Sequence, residues 1–170
     1  PPGRDDKILA DWNGLVIAAL ARLAPIFQNK NWLDKAKETF EGVLHIMSYE
    51  DAGFIKLAHA ARKDSRLNLS MAEDYANMAD AALALFSATG RVDYLSTAEN
   101  LIKTLEHFYA DGHGGFYMTA SGAEALIARP HNSNDSATPN ANGTMVDIYR
   151  RLSIFTGKQE YRKKLEALIK

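Results

Sequence analysis

The sequence predicts an all-α fold built from repeated helical hairpins, and three observations support that prediction. The segment 13–58 aligns without a gap on the segment 75–120, which lies 62 positions further along the chain. A third copy begins at Asn142, and its Thr156-Gly157 matches Thr89-Gly90 of the second copy. Within each copy the apolar residues recur at steps of three and four, as they do on one face of a helix. Such a unit buries its apolar face against its neighbours, so the chain should form an array.

The repeat divides the chain into three predicted hairpins within one helical-repeat domain that spans residues 1–170. The hairpins cover 11–48, 71–109 and 140–170, and their short internal links make the two helices of each pair antiparallel. We expect Asn31 to cap the second helix and Gly90 to end the third in a left-handed conformation. The Pro-Pro-Gly start and an end inside a helical pattern suggest a piece of a longer protein.

Two longer connections separate the hairpins, and both begin with a short alternating run. The runs are Gly53-Phe-Ile-Lys-Leu in the connection 48–70 and Gly115-Phe-Tyr-Met-Thr in the connection 110–139. Alternation after a glycine predicts short strands or β-hairpins, here at one end of the array. Because long structured links often carry binding residues, we expect the functional site at this end.

Composition disfavours several classes of function. A net charge of −1 gives no reason to expect a nucleic-acid partner. The longest apolar run, 15–21, is far shorter than a bilayer span, so we expect no membrane contact and a cytoplasmic protein. The absence of cysteine excludes disulfides and thiol chemistry. No nucleophile elbow, phosphate loop, dinucleotide fingerprint or metal-spaced histidine pair is present, so neither a cofactor nor a metal is predicted.

A polar cluster precedes each inner helix at the same point of the repeat. Because the inner helices are equivalent, their N-termini should meet at one rim, where unpaired amides favour anions and hydroxyl-rich ligands. Carboxylates that face each other across such an opening could supply the acid and the base of sugar chemistry. The predicted catalytic residues are Asp6, Asp74 and Asp135.

The predicted substrate-binding residues lie at the same end of the array, and they are Trp12, Asn13, Tyr75, Phe116, Tyr117, Arg129, Asn140 and Asn142. Structural roles compete with these assignments. Ser70-Met-Ala-Glu73 has the pattern of a capping box, which assigns Glu73 to the helix start and leaves Asp74 free. The aromatic side chains can simply pack, and Arg129 can brace the rim by donating to carbonyls. His59, in the first connection, is expected to be solvated or at the core edge.

Four motifs in order resemble the thioredoxin-domain-containing proteins related to the spermatogenesis-associated member of that family. The motifs are Asp5-Asp-Lys-Ile-Leu-Ala-Asp-Trp-Asn-Gly, Glu73-Asp-Tyr-Ala, Gly114-Gly-Phe-Tyr-Met-Thr and Asn134-Asp-Ser-Ala-Thr-Pro-Asn-Ala-Asn-Gly. The resemblance implies an (α/α)6 toroid of the six-hairpin glycosidase and N-acylglucosamine 2-epimerase type. It also implies that this chain holds about three of the six hairpins and lacks the thioredoxin-like domain. In that family a basic or histidine residue often precedes the Asp-Asp-Lys motif. Here Gly3-Arg4 stands at that place without a histidine, so the resemblance implies no histidine-based chemistry at the first cluster.

Two functions are consistent with these patterns, and the sequence leaves open whether the protein is an enzyme. The first is a carbohydrate-binding or carbohydrate-active toroid domain, with a sugar or another polyhydroxylated small molecule as its ligand. The alternative is a non-catalytic scaffold that binds a protein or peptide. In addition, a half-toroid should expose apolar flanks, and these open edges could drive self-association.

Overall fold

Six helices carry the fold in the computed structural model, which describes residues 3–63, 65–123 and 128–170. They are α1 (Ala10–Ile26), α2 (Lys30–Met47), α3 (Ala72–Thr89), α4 (Val92–Tyr109), α5 (Ala141–Thr156) and α6 (Gln159–Leu168). The predicted all-α class is therefore confirmed. None of the helices in this described part of the chain is long and apolar enough to cross a bilayer.

The helix boundaries follow the sequence repeat. The helices α1 and α3 begin 62 positions apart, and so do α2 and α4. Gly90 ends α3 with φ 72°, as predicted, and Gly157 ends α5 in the same left-handed conformation with φ 69°. The N-cap of α2 was predicted wrongly, because Asn29 rather than Asn31 accepts a backbone hydrogen bond, from Trp32.

Helix α3 lies at the centre of the array, because it packs against α1 on one side, α5 on the other and α4 behind. Every residue from Ala72 to Leu85 is buried. Alanines make up much of this segment, and their small side chains let neighbouring helices approach from several directions. The three inner helices α1, α3 and α5 therefore stand next to one another, and α2, α4 and α6 lie outside them.

Helices α1 and α3 approach each other closely at Gly14. A Cβ atom added there would lie 2.7 Å from the backbone carbonyl of Asn77. We expect Gly14→Ala to lower the free energy of unfolding by about 2 kcal/mol, because backbone atoms must move to admit the methyl group. Gly42→Ala in α2 is the matched control, since no atom lies within 4 Å of its added Cβ. That change should stabilise the helix by about 0.5 kcal/mol. Urea denaturation measures both, and equal effects would contradict the close approach.

Five short strands lie in and before the first connection, and they are β1 (Ile8–Leu9), β2 (Ser48–Asp51), β3 (Phe54–Leu57), β4 (Ala60–Arg62) and β5 (Ser65–Leu67). The first predicted run forms β3, which pairs antiparallel with β2. The second run makes only isolated bridges, such as the one between Ala110 and Phe116. Strand β4 pairs with both β1 and β5. The pairing with β1 ties the first connection to the start of α1, where Ala10 donates its amide to the carbonyl of His59 at 3.0 Å.

One face of α1 carries a row of exposed apolar side chains at helical spacing. Trp12 and Val16 are each 57% exposed, Ile26 is 71% exposed and Phe27 is 63% exposed. The helix is the first of the array, so this face has no neighbouring hairpin among the described residues. This surface, which we call the α1 edge, matches the open apolar flank that a half-toroid should present.

Candidate functional site

The N-terminal ends of the inner helices meet at a cavity of about 160 Å³, which we call the rim cavity. Its walls come from the first turns of α1 and α3, from the first connection and from the segment that leads into α5. The lining residues are Asp11, His59, Met71, Glu73, Met118, Asn132, Ser136, Thr138 and Pro139. The first turns of α1 and α3 and the segment before α5 thus lie around one cavity, but none of its described lining residues is one of the predicted catalytic or substrate-binding residues.

Asp74 lies directly behind the rim cavity and joins three parts of the chain. It is fully buried, with 0% exposure. Its carboxylate accepts the backbone amide of Asp11 at 3.2 Å and that of Met71 at 2.8 Å. Nδ1 of His59 lies 3.0 and 3.1 Å from its two oxygens. One carboxylate therefore stabilises the starts of α1 and α3 and orients the imidazole.

The capping role at the start of α3 falls on Asp74, one residue after the position that the sequence predicted. Met71 is the N-cap, so the third helical position is Asp74 rather than Glu73. Ser70, the expected cap, instead places its hydroxyl 3.0 Å from that of Tyr109. The expectation that Glu73 caps the helix and leaves Asp74 free was therefore wrong.

Because Asp74 rather than Glu73 takes the capping role, the side chain of Glu73 is available to line the rim cavity. It is only 9% exposed, and its Oε2 has no hydrogen-bond partner in the described part of the chain. Burial raises the pKa of Glu73, the neighbouring Asp74 charge raises it further, and the backbone amides of Glu73 and Ala141 act in the opposite direction. A buried carboxyl group with a raised pKa beside a cavity is a common property of functional acids and bases.

His59 is the functional candidate that sequence reasoning missed. Its ring lines the rim cavity, and its Nδ1 is held by Asp74. The hydrogen bond to Asp74 raises the pKa of His59, and partial burial acts against that shift. With Nδ1 engaged, Nε2 is the ring nitrogen that can exchange a proton with a ligand. The pKa of Asp74 is also raised, because burial outweighs the opposing effects of His59 and of the Met71 amide.

Asp11, His59 and Asp74 together have the composition of a cation site. Ligand atoms of Asp11, His59 and Asp74 all lie within 4.8 Å of one another. The oxygens of Asp74, however, already accept two backbone amides and face the imidazole. A metal ion there would have to compete with the hydrogen bonds that hold the helix starts together.

The other two predicted catalytic carboxylates lie away from the lining of the rim cavity. Asp6 forms an ion pair with Arg62 in β4. Asp135 is exposed, and its Oδ1 accepts the backbone amide of Asn140 at 3.0 Å and the side-chain amide at 2.8 Å. These two hydrogen bonds hold the pKa of Asp135 below its usual value. Catalytic roles for Asp6 and Asp135 stay predictions.

Trp12 and Asn13 lie at a different cavity of about 310 Å³, which Asp5, Lys7 and Leu9 also line. The amide of Asn13 donates to the carbonyl of Leu9 at 2.8 Å. Trp12 keeps more than half of its surface exposed and lies on the α1 edge. Contact of these two residues with a ligand stays a prediction.

The remaining predicted substrate-binding residues make contacts that hold the loops in place. Tyr75 is 1% exposed, and its hydroxyl accepts the amide of Leu57 at 3.0 Å. The buried Phe116 exchanges hydrogen bonds with the side chain of Asn142, at 2.9 and 3.1 Å.

Arg129 donates to the carbonyls of Thr119 and Phe108, each at 3.0 Å, and lies over the ring of Tyr117. Asn140 caps α5 by accepting the amide of Gly143 at 2.8 Å. A direct role in binding stays a prediction for each member of this set.

Stability should fall as the pH rises above the ordinary pKa of histidine. The pKa of His59 is raised above its unfolded value of 6.5, so its stabilising effect is complete below that pH. The effect is lost as the pH rises through the folded-state pKa. We expect thermal unfolding between about pH 6 and about pH 8 to show this decline in the wild type and a flatter profile in His59→Gln. Equal slopes in the two proteins would contradict the assignment.

The three hairpins of the described chain have the fold of part of an (α/α)6 toroid. An α-mannanase of glycoside hydrolase family 76 from Bacteroides thetaiotaomicron matches with a TM-score of 0.79 and 16% identity, over 98% of this chain and 44% of its own. The cellobiose 2-epimerase of Spirochaeta thermophila matches with a TM-score of 0.72 and 17% identity, over 96% and 42%. At such identities the likeness establishes the fold alone.

A third structural match carries a bound sugar. It is an α-1,6-mannanase of Salegentibacter, inactivated by replacing two adjacent aspartates with asparagine and solved with α-1,6-mannotriose. Its TM-score is 0.73 at 16% identity, over 95% of this chain and 46% of its own. In all three matches this chain covers less than half of the known structure.

The chain is also related in sequence to spermatogenesis-associated protein 20. The mouse protein is 26% identical over 174 residues, 97% of this chain and 22% of its own length. An uncharacterized protein of Caenorhabditis elegans is 24% identical over 169 residues, 96% of this chain and 23% of its own. The chain thus spans less than a quarter of these curated relatives. No family model matches it, and a thioredoxin-like domain elsewhere in the protein stays a prediction.

Proposed function

We propose that the rim cavity binds a sugar or another small polyhydroxylated ligand. The observation that carries the proposal is the meeting of acidic, imidazole and hydroxyl groups at the first turns of α1 and α3 and in the segment that precedes α5. The fold supports it, because the structural neighbours include a mannanase bound to a mannooligosaccharide and a cellobiose epimerase. Fold alone does not fix a function, so the proposal depends on the side chains at the cavity.

The residues at the rim cavity could carry out acid–base chemistry on a bound sugar. His59 could donate or accept a proton through Nε2 while Asp74 holds its Nδ1. Asp74 itself is fully buried with both oxygens occupied, so it would act by positioning His59 rather than by touching the ligand. Glu73 and Asp11 line the cavity and could supply the second acid or base.

A pair of adjacent acidic residues makes Glu73 and Asp74 the first positions to test. The Salegentibacter mannanase was inactivated by changing two adjacent aspartates. In this chain Glu73 and Asp74 are adjacent, and both lie at the start of α3 beside or behind the cavity. Replacing Glu73 by Gln keeps the shape of the side chain and removes its charge.

A thermal-shift panel tests the proposal directly. Mannose, glucose, cellobiose and α-1,6-mannotriose would be added to the chain, to Glu73→Gln and to the control Asp93→Asn on the outer helix α4. A ligand at about ten times its Kd stabilises by about 1.4 kcal/mol, which raises the Tm of a domain of this size by about 3–5 °C. We expect at least one sugar to give such a shift in the wild type and in Asp93→Asn but not in Glu73→Gln. No shift with any sugar would overturn the proposal.

A protein-interaction scaffold is the second candidate, and the exposed α1 edge favours it. Trp12, Val16 and Ile26 form an apolar row that could bind another helix or a second copy of the chain. Light scattering after size exclusion tests self-association. Association that is lost in Val16→Glu, together with an absence of sugar binding, would favour the scaffold over the carbohydrate site.

A further inference from the structure

We infer that the rim cavity selects a sugar or similar polyol that carries a protonated amine. The inference rests on the proposed function and narrows it to a chemical class of ligand. Three features carry it: the charge around the cavity, the Oε2 atom of Glu73, which has no hydrogen-bond partner among the described residues, and the division of the cavity wall into acidic, neutral polar and apolar parts.

The charge around the cavity is predominantly negative. Asp11 and Glu73 line it, and Asp74 lies directly behind. Among the described lining residues His59 is the one side chain that can carry a positive charge, and it is already engaged by Asp74. The nearby cations are engaged elsewhere, because Lys7 pairs with Asp5 at 3.5 Å and Arg62 pairs with Asp6. A cationic ligand would therefore meet uncompensated carboxylate charge, and an anionic ligand would be repelled.

Glu73 supplies the second, independent feature. Its residue surface is more than nine-tenths buried, and Oε2 lacks a hydrogen-bond partner within the described ranges. A buried acceptor without a donor costs free energy, and a charge-assisted N–H donor is a strong way to satisfy it. An ammonium group offers three such donors on a compact centre, which suits a cavity lined by the two carboxylates of Asp11 and Glu73.

The rest of the wall suits the remainder of a small sugar. Asn132, Ser136 and Thr138 present an amide and two hydroxyl groups that can bond to ligand hydroxyls. Met71 and Met118 present flexible apolar side chains on which the carbon face of a ring can rest. The volume of about 160 Å³ is small for a binding site, so one ring rather than an extended chain should fill it.

Calorimetric titration with a matched set of sugars tests the inference. Glucosamine, glucose, N-acetylglucosamine and glucuronate share one pyranose ring, and each of the other three differs from glucose at one carbon, C2 for the two amino-sugar derivatives and C6 for glucuronate. At about pH 6.5, where the amine of glucosamine is protonated, we expect glucosamine to bind at least tenfold more tightly than glucose. N-acetylglucosamine, whose nitrogen is neutral, and glucuronate, which is anionic, should bind no better than glucose. In Glu73→Gln the preference for glucosamine should disappear, and in Asp93→Asn it should persist.

The outcomes separate this inference from the proposed function. Equal binding of glucose and glucosamine would overturn the amine preference and leave the carbohydrate site standing. Absence of binding by any sugar would overturn both. Ethanolamine binding as tightly as glucosamine would show that the ring contributes nothing and would overturn the polyol part. Binding of Mn²⁺ or Zn²⁺ alone, without binding of glucosamine, would identify the cavity as a metal site and would also overturn the inference.

Discussion

Asp80→Asn is expected to lower the free energy of unfolding by about 3 kcal/mol, the largest loss for one substitution on the inner helices. Asp80 lies on α3 and is 8% exposed. Arg22 of α1 and Arg151 of α5 both donate to its Oδ1, the first at 2.5 Å. One carboxylate therefore joins all three inner helices. Burial lowers the pKa of Arg151 to about 10, and the nearby Arg22 charge adds to that effect, so Arg151 relies on an anionic partner.

Removal of the Asp80 charge would leave two guanidinium groups facing each other, and Asp147 would still lie 2.8 Å from Nε of Arg151. Urea denaturation at neutral pH measures the effect. Asp93→Asn is the matched control, because it removes an aspartate from an ion pair with Arg91 in which both side chains are more than half exposed. That variant should unfold like the wild type. Equal losses in the two variants would contradict the buried cluster as the tie between the inner helices.

The second large effect on the free energy of unfolding is expected at Asp74, and the neighbouring Glu73 should not show the same loss. Asp74→Asn should lower the free energy of unfolding by about 2–3 kcal/mol, because an amide nitrogen would replace one of the oxygens that accept buried backbone amides. Glu73→Gln should be neutral or stabilising by about 1 kcal/mol near pH 7, since it removes a buried charge whose Oε2 atom has no hydrogen-bond partner among the described residues. The two variants change one atom each in adjacent residues of the same helical turn.

These two substitutions also discriminate between the capping roles. If Glu73 were the capping residue and Asp74 the free one, as the sequence pattern suggested, the signs would be exchanged. Asp74→Asn should in addition return the pKa of His59 toward its ordinary value of 6.5, because the hydrogen bond to Asp74 is the main cause of the shift. An NMR titration of the imidazole protons measures this change. An unaltered His59 titration in Asp74→Asn would contradict the dyad.

The architecture was predictable from sequence because it repeats. A 62-residue offset in the sequence reappears as a 62-residue offset between helix starts, since equivalent apolar patterns fold into equivalent hairpins. Gly90 ends α3 as expected, because few other residues adopt the left-handed conformation that this helix end has. The convergence of the inner-helix N-termini followed from the same repeat.

The identity of the site residues was less predictable, and the reasons are local. The sequence pattern predicted Ser70 as the N-cap of α3, whereas the N-cap is Met71. The side chain of Ser70 instead lies within hydrogen-bond distance of the hydroxyl groups of Tyr75 and Tyr109. His59 carried no signal of its own. Its position depends on the pairing of β4 with β1, a strand of two residues that is too short to show an alternating pattern.

Methionine methyl NMR gives the most direct test of a ligand site at the rim cavity. Met71 and Met118 line the cavity, whereas Met47, Met78 and Met145 are fully buried in the core and serve as internal controls. With ¹³C-methyl methionine and a saturating concentration of glucosamine or the best-binding sugar, we predict shifts in the Met71 and Met118 signals and none in the other three. Binding that leaves the Met71 and Met118 signals unchanged, or a sugar series that shifts no signal at all, would contradict the account.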